Sequence, residues 1–222
     1  MIAGLVAETG PVSWPEHHGT NFEVLVQGIT YQQLAGAAAR AIHGRLLSAL
    51  DNEVTPERMV ALSEDELRAV GMSHNKALSL LDLSAKVLDG TVVLDAKQLA
   101  SLSDQEVIDR LVQVRGIGEW TAQVFLLLTL HRPDVLPVGD LAIRRGFGLA
   151  WGIPIPTAKE LKKLGERFKP YRSTLAWYCW RADELYAGTK SSAVTGGSHA
   201  DDIEHDPTTA VATATAAGSK SA

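Results

Sequence analysis

The stretch VRGIGEWTA, residues 114–122, places two glycines one residue apart where one strongly apolar segment gives way to another. Two physical readings compete. Helix ends favour glycine, so Gly116 and Gly118 can make a tight packing turn between antiparallel helices. Alternatively, both take positive φ in a helix–hairpin–helix, and the N–H groups at the start of the second helix point outward with the positive end of its dipole. An anion such as a phosphate fits there, and Arg115, directly before the turn, adds a charge-assisted contact.

On either side of this turn the chain reads as helices. One over 103–114 ends at the glycines, and the next begins near Glu119. Ser63 with Glu66, Ser103 with Glu106 and Thr157 with Glu160 have the spacing of capping boxes. Gly71, Gly90, Gly116 and Gly188 follow as stop signals. Apolar residues recur at helical spacing in FEVLVQGI, ALSLLDLSAKVL, EVIDRLVQV, TAQVFLLLTL and LAWYCWRADEL, and roughly nine or ten helices fit. TVVL and DVLPV are short extended loop segments. The pattern predicts an all-α fold without solenoid repeats. Residues 190–222, rich in Ala, Thr, Ser and Gly, read as a disordered tail.

Composition narrows the class. With 222 residues, 45% of them hydrophobic, the chain can bury the core of one sizeable domain or two small ones. A single cysteine, Cys179, excludes an internal disulfide and a four-cysteine iron–sulfur cluster. The seven histidines show no HExxH-like spacing, so no catalytic metal is expected. There is no run of about 18 apolar residues, and MIAGLVAETG lacks the features of a secretory signal, so the expectation is a soluble intracellular monomer away from membranes. The net charge of −5 hides an asymmetry. Residues 1–109 carry 7 Lys and Arg against 15 Asp and Glu, whereas residues 110–189 carry 12 against 7. The half with the glycine pair is thus basic, as a surface facing a polyanion would be, although charged faces are also simply solvated.

After the second helix, RPDVLPVGDLAIRRGFG delivers Asp140 to the start of another helix, where a carboxylate can serve as an N-cap. The order LVQVRGIGEWTAQVFLL, then DVLPVGDLAIRRGFG, resembles the helix–hairpin–helix DNA glycosylases. FEVLVQGITYQQLAGAAARAI, GMSHNKALSLLDLSAKVLDG and KPYRSTLAWYCWR resemble the 3-methyladenine DNA glycosylase II branch. The resemblance covers residues 20–187. It implies a helical core over 1–189 made of two lobes, a middle lobe of roughly 50–150 and another from both chain ends. It also implies double-stranded DNA bound over the cleft between them and a damaged base flipped into it. Gly116 and Gly118 match the family's phosphate-gripping turn, with Thr121 nearby. That turn often also holds a monovalent cation through backbone carbonyls. Arg115 stands where proline is common, so a less rigid turn is expected. Asp140 matches the catalytic aspartate, no cofactor is implied, and the protein would work in the bacterial cytoplasm at the nucleoid, or in a eukaryotic nucleus.

The chemistry fits these residue types. Breaking an N-glycosidic bond builds positive charge on the sugar, so a fixed carboxylate stabilises that charge and orients water. Alkylation makes a purine cationic and already a good leaving group, so one aspartate suffices. A cationic base stacks on electron-rich rings. Trp120 and Trp180 match pocket positions, with Tyr31 and Trp14 as further candidates, although tryptophans are also common in cores. Strand-cutting relatives carry a Schiff-base lysine where this chain has Trp120, which implies a monofunctional enzyme. The family's best-known members add a pocket aromatic from an amino-terminal β-domain absent here, implying a more open pocket. Gln33, or else Leu34, would fill the hole left by the flipped base, or both are ordinary turn and core residues. Arg144, Arg145 and Lys76 are phosphate contacts or solvated charges. A non-catalytic DNA-binding module and a strand-cutting enzyme using another lysine are the alternatives.

Overall fold

Local start and stop chemistry accounts for most of the helices in the computed structural model, which describes residues 2–14, 16 and 19–187. All three expected capping boxes form, and a fourth, Thr20 with Glu23, opens α2. In each, the hydroxyl accepts the third N–H of the helix while the Glu carboxylate reaches back to the cap N–H. Gly71, Gly90 and Gly116 take the expected positive φ. Gly188 and the 190–222 segment lie outside the described residues.

The elements fall into two compact units. The first, residues 16–130, contains α2 (Asn21–Tyr31), α3 (Gly36–Ala49), α4 (Pro56–Ala61), α5 (Glu64–Ala69), α6 (His74–Leu88), α7 (Ala96–Ser101), α8 (Asp104–Leu111) and α9 (Glu119–Leu128). The second takes the described residues of 2–14 and 131–187, with α1 (Ile2–Thr9), α10 (Leu141–Trp151), α11 (Ala158–Gly165), a 3-10 turn (Glu166–Phe168) and α12 (Arg172–Tyr186). No strand occurs among the described residues, and TVVL and DVLPV are loops. Among the described residues twelve α-helices replace the roughly nine or ten expected, because α4, α5 and α7 have only six residues each. Such helices are too short for periodicity to register, and caps plus packing sustain them.

In the first unit α6 is the hub, packing against α2, α4 and α5. It buries Ala77, Leu80 and Leu83, and its buried Ser79 and Ser84 satisfy their hydroxyls by donating to the carbonyls of Asn75 (2.8 Å) and Leu80 (2.7 Å) four residues back. In the second unit α12 packs against α1 and α10. Trp177 Nε1 donates to Ser13 O at 3.0 Å and Tyr178 OH to Gly10 O at 3.1 Å, tying residues 10–13 to α12. No helix among the described residues is long and apolar enough to cross a membrane.

Candidate active site

The glycine turn is built in the first unit. Helix α8 stops at Leu111, three residues before the expected end, and the turn is anchored by buried Val114 and Ile117. Val114 N donates to Leu111 O at 3.0 Å and Ile117 N to Val114 O at 3.1 Å. The two glycines have different jobs. Gly116 sits at φ +77, and a Cβ there would lie 2.5 Å from Ser79 Oγ. Gly118, expected at positive φ, lies instead at φ −93, ψ 173, the ordinary extended conformation of an N-cap. It therefore opens α9 without offering a side-chain cap.

These geometries separate under mutation. Gly116→Ala is expected to cost about 1–3 kcal/mol, since it is strained in backbone and crowded by Ser79. Gly118→Ala, whose Cβ meets nothing within 4 Å, is expected to cost less than about 1 kcal/mol. Thermal unfolding of both variants checks this, and the reverse order would overturn the assignment.

Arg115 does not loosen the turn. Its backbone N–H donates to Asp82 Oδ2 at 2.7 Å, and its Nη2 donates to Asn75 Oδ1 at 3.0 Å. Proline could not make the first of these bonds, so hydrogen bonding to α6 supplies the restraint that a ring would have supplied. Burial raises the Asp82 carboxyl, but the Arg115 N–H and the Lys86 ammonium more than offset this and hold it below its ordinary value. Trp120 and Thr121, second and third in α9, are both half-buried.

The TYQQLAG segment turns from α2 into α3. Gln33 is exposed at φ +57, while Leu34 packs with buried Tyr31 and Ala39 in a small core cluster. Tyr31 is 9% exposed and meets His43 edge-on, ring centroids 5.9 Å apart. Leu34 and Tyr31 thus support the turn, and Gln33 stands at its tip. Lys76, read as a phosphate contact or a solvated charge, instead points inward: Nζ donates to Thr30 O at 2.8 Å. Burial brings its ammonium down to about 8.

Charge is distributed differently from the linear reading. Within 16–130 there are 9 Lys and Arg against 15 Asp and Glu, so the unit holding the hairpin is acidic. The basic excess belongs to the stretch after residue 131. The unit's net charge therefore offers no general attraction for an anion at the hairpin, and only local N–H groups and single side chains there could supply one.

Asp140 is placed in the second unit by a pinned loop. Arg172, at the start of α12, forms a fork with Asp134, Nε to Oδ1 at 2.7 Å and Nη2 to Oδ2 at 2.9 Å. That guanidinium holds the Asp134 carboxyl below its ordinary value. Val135 N donates to Ser173 Oγ at 3.0 Å, Ser173 N donates to Pro133 O at 3.0 Å, and Ser173 Oγ donates to Arg132 O. The loop then closes with Asp140 N donating to Pro137 O at 3.0 Å. Asp140 itself is 2% exposed and caps α10, its Oδ1 accepting from Ile143 N at 2.9 Å.

Around it, α10 and α12 approach closely. A Cβ on Gly146 would lie 1.7 Å from the backbone oxygen of Cys179. Arg145 donates Nε to Asp183 Oδ1 at 2.9 Å and Nη2 to Oδ2 at 2.7 Å, so it serves α12. That bond raises the guanidinium above its ordinary value, and the Asp140 charge contributes. The Cys179 thiol is buried and pushed up strongly by burial, with Asp140 adding to the effect, so it is inert. Arg144 has its Nε buried without a hydrogen-bond partner, and Trp180 is half-buried. Trp14 stacks on His131 with centroids 6.3 Å apart.

The glycine hairpin and the capping aspartate that follows it define the class: a helix–hairpin–helix protein with a fixed carboxylate downstream. The chain belongs to the HhH-GPD superfamily of base excision DNA repair proteins, whose family model matches residues 26–170. It is 36% identical over 172 residues to DNA-3-methyladenine glycosylase 1 of Schizosaccharomyces pombe, covering 76% of this chain and 75% of that protein. Among solved structures, a 3-methyladenine DNA glycosylase of the same yeast in complex with abasic DNA aligns with TM-score 0.71 and 32% identity over 83% of this chain and 91% of that one. A DNA-3-methyladenine glycosidase of Bacillus halodurans aligns with TM-score 0.73 and 30% identity, over 84% and 90% of the two chains.

Several positioning residues escaped the sequence reading: Asp134, Arg172 and Ser173 in one unit, and Gln32, Asn75, Ser79 and Asp82 in the other. The quoted KPYRSTLAWYCWR and GMSHNKALSLLDLSAKVLDG stretches contain five of these seven, but nothing local states which loop they bind.

Proposed function

We propose that this chain is a monofunctional DNA-3-methyladenine glycosylase of the second class, hydrolysing the N-glycosidic bond of alkylated purines in duplex DNA and leaving an abasic site. The observation that carries this reading is Asp140, a buried carboxylate held by a pinned loop and a helix N-terminus in a chain of the HhH-GPD superfamily.

The bond from C1′ to the base nitrogen breaks, and its electron pair neutralises the cationic base as it leaves. The Asp140 carboxylate faces the positive charge left on the sugar and orients the water that adds to C1′, whose proton passes to that carboxylate and on to solvent. A base already cationic asks no general acid of the protein. Trp120 and Trp180, each half-buried, are the rings proposed to face it. Tyr31 contributes by supporting the turn that carries Gln33, the side chain proposed to fill the vacated stack. The start of α9 at Gly118, with Thr121, Arg115 and Arg144, is proposed to hold phosphates. A monovalent cation at the turn would be held by backbone carbonyls. Gly116 O and Val114 O each already accept one N–H, and a carbonyl has a second lone pair, so the donor set fits. Such an enzyme works wherever duplex DNA is kept, in a nucleoid or a nucleus.

Release of free base from methylated duplex, with strand breaks followed before and after alkali, tests the reading. Base release with breaks only after alkali, and no borohydride-trapped complex, is expected because Trp120 cannot form a Schiff base. Tight binding with no release would instead make this a DNA-binding module with Asp140 only a helix cap. A trapped covalent complex would assign it to the strand-cutting enzymes.

A further inference from the structure

Helix α6 reaches both DNA-facing elements of its unit from one end. Asn75, Ser79 and Asp82, at helical i, i+4, i+7 spacing, meet the hairpin turn. Asn75 and Asp82 accept from Arg115, and Ser79 is the side chain that crowds Gly116. Lys76, one residue along, meets the other element. Its Nζ donates to Thr30 O, one residue before the end of α2, where the dipole is negative and α2 has no basic residue in its own last turn. Immediately beyond, Gln32 Nε2 donates to Gly116 O at 3.3 Å, and Leu34 N donates to Tyr31 O at 3.3 Å around the left-handed Gln33. The α2–α3 turn is therefore held at its base by Lys76 and at its side by the hairpin. A half-buried amine spent on a backbone carbonyl has given up much of its hydration, which its lowered pKa reflects.

We propose that Lys76 is a positioning residue, fixing the turn that carries Gln33 to the same helix that fixes the phosphate grip, so that gripping the strand presents the stack-filling side chain already in place. This rests on the reading of the chain as a base-flipping glycosylase. Without Lys76 the turn orders itself during flipping, and the conformational entropy lost then is charged to the flipped state.

The test uses the full chain and a duplex carrying 2-aminopurine beside a 7-methylguanine, with Lys76→Met, Lys76→Arg and Gln32→Ala. For Lys76→Met, the fluorescence rise on unstacking and the single-turnover release are both expected to fall about tenfold, while affinity for undamaged duplex stays within about twofold. Lys76→Arg keeps a donor for Thr30 O and restores both readouts to within about threefold. Gln32→Ala, a change in a partly exposed side chain, moves both in the same direction by a smaller factor and carries the test if Lys76→Met does not fold. Unchanged flipping and release in Lys76→Met, or in Gln32→Ala where it stands in, overturns the proposal. So does parallel loss of duplex binding and flipping without rescue by arginine. A wild type that shows the Lys76-dependent fluorescence rise yet releases no base removes the enzymatic reading and leaves the positioning role standing.

Discussion

Asp140→Asn is expected to slow base release by about a thousandfold while shifting unfolding and duplex affinity little. Asparagine caps helices as well as aspartate does, so its side-chain oxygen still accepts from Ile143 N and α10 keeps its start. Arg145 is not stranded by the change, because its fork closes on Asp183. What disappears is the negative charge that, on the proposed reading, faces the developing cation at C1′. Asp140→Ala removes cap and charge together and adds a stability loss of about 1 kcal/mol. Single-turnover release and thermal unfolding of the two variants thus separate the carboxylate's two roles. Undiminished release by Asp140→Asn would sink the catalytic assignment and leave only the cap.

Gly146→Ala is expected to show the opposite pattern, a large stability loss without touching the chemistry directly. The added Cβ would sit 1.7 Å from Cys179 O, which is backbone and cannot rotate away. The helices must part, and the small buried residues that share a core cluster there, Ala150 on α10 and Ala182 on α12, lose their packing. A cost of about 3–5 kcal/mol, near 10 °C in Tm, is expected. Because Asp140 caps the same α10, base release falls too, and it recovers least at temperatures where the variant begins to unfold. A Tm within about 2 °C of wild type would mean that the two helices adjust freely, and would remove Gly146 as a determinant of the site.

Much of the architecture was legible beforehand, and for a physical reason. A capping box is a contract between residues three apart, so Ser63, Ser103 and Thr157 announce their helices wherever the rest of the chain goes. The hairpin at 114–122 and the capping position of Asp140 are local in the same sense. Even so, the glycine pair misled in one respect: only Gly116 needs positive φ, because Gly118 already belongs to the next helix as its extended cap. The six-residue helices were too short to carry a period.

Side-chain commitments were not legible. Lys76 and Arg145 both read as charges available to a phosphate, yet the structure engages each with a protein partner far along the chain, Thr30 at 46 residues' separation and Asp183 at 38, while Arg115 stays exposed beside its bond to Asn75, 40 residues away. The same holds for the Asp134–Arg172 fork, 38 residues apart, which pins the loop ahead of Asp140. By itself the sequence determined the helical class, the hairpin, the order of the motifs and the identity of the capping carboxylate, since these depend on spacings within one or two turns. Only the tertiary structure decided which cations are spent on the protein, which glycine meets a backbone and which turn is braced against which helix. Those outcomes depend on surfaces that become neighbours only when the core closes, and no local pattern encodes the distance between them.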